Sequence, residues 1–229
     1  MSKKIMVIGA SRGIGAELVK LFAGNTNQEV FALSRNKPVM EELFKNHANV
    51  KNFAFDLERE TLEDDLQSIL AHLPKLDVVV FNAGKLVNKP FLELTRKEIE
   101  SAYQVNVIGV MLATKVLFSH LNVGAHIVNI STMGGFQGSV KFAGLSAYST
   151  SKAALTSFTE LFSEEFKDHP VTMNCLCLGA AQTEMLAAAF PGYEAPLSAQ
   201  QMATYIADFS LNAHNYIKGK VIPVSLSTP

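Results

Sequence analysis

The chain lacks most of the features that mark a secreted, metal-bound or membrane-bound protein. Its 229 residues include only two cysteines, Cys175 and Cys177, which stand one residue apart inside an apolar run. So close together they cannot staple a fold, which excludes a disulfide-built secreted domain. On a strand the period of two puts both on one face, where small apolar packing is the ordinary role of a buried thiol. The histidines (His47, His72, His120, His126, His169 and His214) show no ligand spacing. They are expected at surface or capping positions, and no metal site is expected. Charge of one sign is also missing. Lys plus Arg number 20 and Asp plus Glu number 21, for a net charge of -1. That balance gives no electrostatic case for nucleic acid or an anionic membrane as a partner. No apolar run approaches the length of a membrane span. Ile5-Met6-Val7-Ile8, behind Lys3 and Lys4, is too short for a signal peptide, so the expected compartment is a reducing, cytoplasmic one.

What the chain does have is apolar substance. Hydrophobic residues make up 48% against 18% charged, enough for a real core and too much for a disordered chain. Apolar runs of strand length fall at Ile5–Ile8, Val30–Leu33, Asn52–Phe55, Asp77–Phe81, His126–Ile130, Val171–Cys177 and Val221–Val224. Most are continuously apolar and β-branched rather than alternating, as strands covered on both faces should be. Between them, apolar residues recur at helical spacing: Leu18, Leu21 and Phe22; Leu62, Leu66, Ile69 and Leu73; Leu155, Phe158, Leu161, Phe162 and Phe166. Strand then helix, repeated, means right-handed βαβ units. The expectation is an α/β fold, one domain over 1–229, with a doubly wound seven-stranded parallel sheet of Rossmann type and helices on both faces. The acidic cluster from Glu58 to Asp65 overlaps a predicted helix start, where carboxylates favour the helix dipole. Two irregular segments, Met133–Ser146 and Thr183–Ser198, follow strands at the end of the sheet where ligands bind in this architecture.

The first strand runs into Gly9-Ala10-Ser11-Arg12-Gly13-Ile14-Gly15, and a helix follows at once. Glycines at this spacing let the backbone turn tightly and approach a pyrophosphate, which rests on the helix N-terminus. An NAD site in this architecture carries an acidic residue at the end of the second strand. Here that strand closes with Ser34-Arg35. Small Ser34 removes the carboxylate that would repel a 2′-phosphate, and Arg35 supplies a planar fork for it, with Arg12 in reach. NADP(H) is therefore the expected cofactor.

Tyr148-Ser149-Thr150-Ser151-Lys152 opens a later helix, with Tyr148 and Lys152 at i and i+4 on one face. An ammonium beside the phenol would favour the phenolate and bring an ordinarily poor acid or base toward neutral pH. By itself that pair is common. In company with the other motifs, the chain resembles the short-chain dehydrogenase/reductase family over nearly its whole length. The resemblance rests on the Gly9–Gly15 turn, Asn82-Ala83-Gly84 after the fourth strand, and Asn106 in Val105-Asn106-Val107-Ile108-Gly109. It also rests on Asn129-Ile130-Ser131-Thr132, on Tyr148 with Lys152, and on Leu178-Gly179 through Thr183. The Met133–Leu145 loop resembles the carbonyl-reductase and C-factor-like branch.

The resemblance implies hydride transfer between a carbonyl and an alcohol in a small-molecule substrate. Tyr148 would be the general acid or base, Lys152 would depress its pKa and bind the nicotinamide ribose, and Asn106 would hold a relay water. Asp56 and Leu57 would border the adenine, Asn82, Ala83 and Gly84 would pack near its ribose, and Leu178, Gly179, Ala181 and Thr183 would fix the carboxamide. A homodimer or homotetramer through the Asn106 and Tyr148 helices is implied as well. Three positions depart from the family pattern. The catalytic hydroxyl is usually Ser but falls here on Thr132, with Ser131 the alternative should the loop shift. Ile8 stands in place of Thr, and Leu178 in place of Pro. These departures motivate a rival reading, a non-catalytic NADPH-binding regulatory or redox-sensing module acting through a protein partner. Intact Tyr148, Lys152 and Asn106 favour the enzyme. Met185, Leu186, Phe190, Pro191 and Tyr193 read either as a flexible lid or as a short helix packed on the sheet.

Overall fold

In the computed structural model, residues 2–226 are described, and within them strands and helices alternate as the patterning predicts. The order is β1 (Lys3–Ile8), α1 (Gly13–Ala23), β2 (Gln28–Ser34), α2 (Lys37–Leu43), β3 (Val50–Ala54), α3 (Leu62–Leu70) and β4 (Leu76–Phe81). Helix α4 (Arg96–Tyr103) then continues through a π turn at Gln104–Ile108 into α5 (Gly109–Leu117). After these come β5 (Leu121–Thr132), α6 (Ser146–Glu165), β6 (Thr172–Leu178), α7 (Glu184–Ala189), α8 (Ala199–Asn212) and β7 (Val221–Val224). The strands form one seven-stranded sheet in the order β3-β2-β1-β4-β5-β6-β7, parallel throughout. The order reverses between β1 and β4, and that crevice is where the doubly wound architecture binds ligands.

The two faces of the sheet bury two apolar clusters. Ile5 and Val7 face Leu18 and Phe22 of α1 and Met202 and Ile206 of α8. Their alternates Met6 and Ile8 face Leu66 of α3, Val110 and Leu117 of α5, and Leu155 and Phe162 of α6. Burial on both sides is why the strands read as continuous apolar runs.

Three expectations need correction. β5 begins at Leu121, not at His126, because Leu121 pairs with Leu76 ahead of a register shift. Its early part was hidden by 88%-exposed Val123 and by Gly124 at φ +78°. Leu161 is 67% exposed and lies off the buried stripe of α6. Six residues beyond Leu155, at about 100° each, it is turned some 120° from that face. His126 is fully buried, not on the surface.

The burial of His126 is built into the fold. Its Nδ1–H donates to Ser210 O at 3.0 Å, and Nε2 accepts from Asn174 Nδ2 at 3.0 Å. Asn174 also donates to Ile217 O at 3.2 Å and accepts from Lys220 N at 2.9 Å. The imidazole thereby ties the end of α8 and the approach to β7 to the centre of the sheet. Burial pushes it down to about 4, with His214 and Lys3 adding repulsion. The unfolded chain therefore takes up a proton from about pH 6.5 downward while the folded one does not. This group's contribution to stability is intact above pH 7 and declines until about pH 4. Between pH 7 and pH 5 the loss should be about 2 kcal/mol, with His214, also lowered by burial, adding a fall of the same sign. Urea unfolding at the two pH values checks this. His126→Gln should be less stable at pH 7 yet show a shallower fall, and an unchanged slope would contradict it.

Candidate functional site

At the carboxyl edge of the sheet the backbone closes on itself around the glycine turn. Ile8 O accepts from both Asn82 N at 2.9 Å and Ala83 N at 2.8 Å, and Asn82 Nδ2 donates to Gly9 O at 2.9 Å. Gly9 has φ +95°, and a Cβ there would lie 2.5 Å from Ala83 N. A Cβ on Gly15 would overlap Gly9 O outright. Only glycine fits either place. Arg12 precedes α1 in an extended conformation with no side-chain cap, which leaves the first N–H groups of the helix without a side-chain acceptor. Ser11, Arg12, Gly13 and Ile14 line a cleft of about 460 Å³ at this point. A bare helix N-terminus behind a cradle that any Cβ would fill suits a pyrophosphate.

The outer end of the cleft carries the predicted specificity residues. Ser34 Oγ donates to Ser11 Oγ at 2.8 Å, and Arg35 lines the cleft beside them. Asp56 and Leu57 form its rim, with Asp56 Oδ1 accepting from Glu58 N at 3.0 Å. Glu58 is not part of the helix start, which begins at Leu62 with Glu63, Asp64 and Asp65 in its first turn. It takes Lys85 Nζ at 2.9 Å and the Ser101 hydroxyl, and the Ser101 and Lys85 hydrogen bonds hold its carboxyl below the usual range. This clasp was not foreseen, since nothing in the sequence links residues 27 apart.

At the inner end, Thr132 closes β5, and Tyr148 and Lys152 lie one turn apart on α6. Tyr148 is partly exposed along the cleft, but its hydroxyl end is enclosed, beside the Thr132 hydroxyl. Ser131 is turned the other way, donating to Lys152 O at 3.0 Å. Of the two hydroxyls, Thr132 is therefore the one at Tyr148. Lys152 is 3% exposed, and its Nζ donates to Ile130 O at 2.7 Å and Ala83 O at 3.4 Å. Lys152 is not among the groups that shift the phenol here. Burial pushes Tyr148 up to about 12, and burial pushes Lys152 down to about 8. The ammonium is satisfied by carbonyls, not by the phenol.

Asn106 sits in the π turn, a widened coil that often marks functional positions. It is fully buried; its Oδ1 accepts from Lys85 N at 2.8 Å, and its Nδ2 donates to Lys85 O and to Ser151 Oγ, each at 2.9 Å. A Cβ on Gly84 would lie 3.6 Å from both Asn106 Oδ1 and Lys152 Nζ, so Asn106, Gly84 and Lys152 converge. Ser151, unnoticed in the sequence, links Asn106 to α6. Leu178 ends β6 in register with Thr132 and Val224, and Gly179 N donates to Val224 O at 2.8 Å. That bond pins the turn where proline was expected. Ala181 and Thr183 line the same side of the cleft, Thr183 capping α7 by accepting from Leu186 N at 3.2 Å. Met185, Leu186 and Phe190 line the cleft too, while Pro191 is exposed. Cys175 and Cys177 are both free thiols, fully buried on β6. Among the described residues no group of three or more His, Cys, Asp or Glu could hold a metal. One helical stretch, Arg96–His120, is long and apolar enough to cross a membrane, but 56% of its apolar window is buried within the protein.

The short chain dehydrogenase family model matches residues 3–194. The chain belongs to that family. This short-chain dehydrogenase is 29% identical to the 3-oxoacyl-[acyl-carrier-protein] reductase FabG of Aquifex aeolicus, across 97% of this chain and 96% of that one. Among solved structures, a short chain dehydrogenase from Salmonella enterica serovar Typhi matches at TM-score 0.88 and 26% identity, covering 97% of this chain and 96% of that one. A putative short chain dehydrogenase from Escherichia coli CFT073 complexed with NADPH matches at TM-score 0.85 and 25% identity, covering 96% and 95%. The family is one of oxidoreductases with nicotinamide cofactors, and the glycine cradle fits such a dinucleotide. Gly15→Ala should force the cradle apart, with a loss of about 1–3 kcal/mol in stability and roughly tenfold weaker binding of the reduced nicotinamide dinucleotide. Thermal melts and fluorescence titration with NADH and NADPH check this. Unchanged binding of both would show that the Gly9–Gly15 contact is not part of the cofactor site.

Proposed function

We propose that this short-chain dehydrogenase interconverts a carbonyl and an alcohol with NADP(H), with Tyr148 as the proton-transfer group. The observation that carries the reading is the Tyr148–Thr132 hydroxyl pair in the cleft, backed by Lys152 on the next turn of the helix. The cofactor would supply the hydride in reduction and accept it in oxidation, held by Gly9–Gly15, Ser34, Arg35, Asp56, Leu57, Asn82–Gly84, Lys152 and the Leu178–Thr183 turn.

A phenol raised to about 12 is fully protonated at neutral pH. It can donate to a carbonyl oxygen as negative charge develops there, while Thr132 donates a second hydrogen bond to the same oxygen. In the reverse direction the phenol must first lose its proton, which its burial opposes. Lys152 steadies the nicotinamide end by charge, and Asn106 fixes the chain around it through Lys85 and Ser151.

Arg12 and Arg35 both line the outer cleft, and no carboxylate stands at the Ser34 position, which supports a 2′-phosphate and hence NADP(H) over NAD(H). The non-catalytic alternative finds no support in relatives named as reductases. A cytosolic setting fits the balanced charge. Pairing of copies through α5 and α6 would cover Ile108, Met111 and Leu161, which are exposed there.

Two substitutions test the reading. Tyr148→Phe should lower kcat for carbonyl reduction by roughly 100-fold or more while NADPH still binds. Turnover within a few-fold of the parent would sink the assignment. Arg35→Ala should raise the Kd for NADPH about tenfold or more and leave that for NADH nearly unchanged. Equal effects on both would remove the phosphate assignment.

A further inference from the structure

Among the described residues, none brings a free charge to the cleft beyond Tyr148. Six charged side chains line it: Arg12, Arg35, Asp56, Lys85, Lys152 and Glu184. Arg12 is within the glycine turn, Arg35 follows β2 at the same end of the cleft, and Asp56 is on the adenine rim with its oxygen on Glu58 N. Lys85 is paired with Glu58 at 2.9 Å. Lys152 is buried on Ile130 O. Glu184 lies over the glycine turn, its carboxylate 3.5 Å from where a Cβ on Gly13 would stand. Each is at the dinucleotide end or already engaged.

The apolar walls there include Leu86, Met133, Phe142, Leu145, Met185 and Phe190. Phe142 and Phe190 meet edge to face, with centroids 5.7 Å apart and ring planes at 73°. They belong to separate segments that are tied together by the strap after Gly84. Asn88 Nδ2 donates to Ala189 O at 2.7 Å, next to Phe190, and Lys89 N donates to Gly144 O at 2.9 Å, two residues from Phe142. Gly144 has φ +83°, and a Cβ there would overlap Asn88 Oδ1, so the tie requires glycine. The walls are therefore a built surface of the fold.

We propose that the substrate is an uncharged, apolar carbonyl compound, or the matching alcohol, with a ring or branched chain beside the reacting carbon, and that its carboxylate- or phosphate-bearing analogues are excluded. An aromatic group against Phe142 and Phe190 gains apolar burial and edge contacts. An anion in the same place would be stripped of water with no cation to receive it. The proposal rests on the oxidoreductase reading above. In reduction, hydride from NADPH adds to the carbonyl carbon and the Tyr148 proton to its oxygen, giving the alcohol and NADP⁺.

The test compares ethyl benzoylformate with benzoylformate, which differ only by an ester in place of a carboxylate. Diacetyl, too small to need the walls, serves as the reference. With the full chain and NADPH, kcat/KM for the ester should exceed that for the acid by roughly 100-fold. Phe190→Ala should raise KM for the ester about tenfold while diacetyl changes by less than about threefold, and Met185→Ala serves as a second variant should the first fold poorly. Diacetyl turnover with acid and ester used equally, or an ester KM that neither variant moves, would overturn the pocket and leave the reductase standing. If no carbonyl is turned over although NADPH binds, the reductase reading fails. The pocket is then judged by thermal shift of the NADP⁺-loaded chain with ethyl mandelate against mandelate. A shift with the ester alone supports it, and equal shifts or none overturn it.

Discussion

A buried ammonium must find oxygen, and Lys152 finds it in main-chain carbonyls at the carboxyl edge of the sheet. Ile130 O belongs to β5 and Ala83 O follows β4, so one side chain spans the seam between two neighbouring strands. Parallel strands end with carbonyls that have no further partner in the ladder, and these are obligatory acceptors once water is excluded. The seat of Lys152 ties α6 to these two strands beside the apolar packing of Leu155 and Phe162. One turn earlier, Tyr148 then falls on Thr132, and one residue earlier, Ser151 falls on Asn106.

The same seat separates the roles of the two ionisable groups. An ammonium facing the phenol would have favoured the phenolate, and a phenolate would in turn have favoured the ammonium. Instead the carbonyls take the ammonium, burial raises Tyr148 to about 12, and burial lowers Lys152 to about 8. The phenol is left protonated at neutral pH, with a hydroxyl as its polar neighbour. That hydroxyl can point at a substrate oxygen together with it, which is what a carbonyl acceptor requires.

How much of this was legible in the sequence depended on whether the constraint was local. The strands were legible because burial on both faces leaves uninterrupted apolar runs, and the glycine turn because its steric demand falls on residues a few positions apart. Tyr148 and Lys152 were legible as a pair on one helical face. Contacts across long separations were not. Asn88 and Ala189 are 101 residues apart, and Glu58 and Lys85 are 27 apart. Phe142 and Phe190 sit in irregular segments with no periodicity to place them. His126 looked like any isolated histidine, since the acceptor that buries it, Ser210 O, is a backbone atom of a distant helix.

The positions where the chain departs from the family pattern follow from the same division. At Ile8 the working atom is the carbonyl oxygen, which takes the amides of Asn82 and Ala83 whatever side chain stands behind it. At Leu178 the turn is held by Gly179 N on Val224 O, a strand contact that proline would not have improved. Thr132 is different, because there the side chain itself is needed. Its hydroxyl meets Tyr148 and also accepts from Gly134 N at 3.3 Å, which orients it, and its methyl is 3.8 Å from where a Cβ on Gly134 would stand. A Cβ at 134 would meet the Ser149 hydroxyl at 2.8 Å but the Thr132 methyl only at ordinary contact distance, so glycine there makes room for α6 rather than for the methyl. The Thr132 hydroxyl is oriented instead by the backbone amide of Gly134, a contact that does not depend on the side chain at that position.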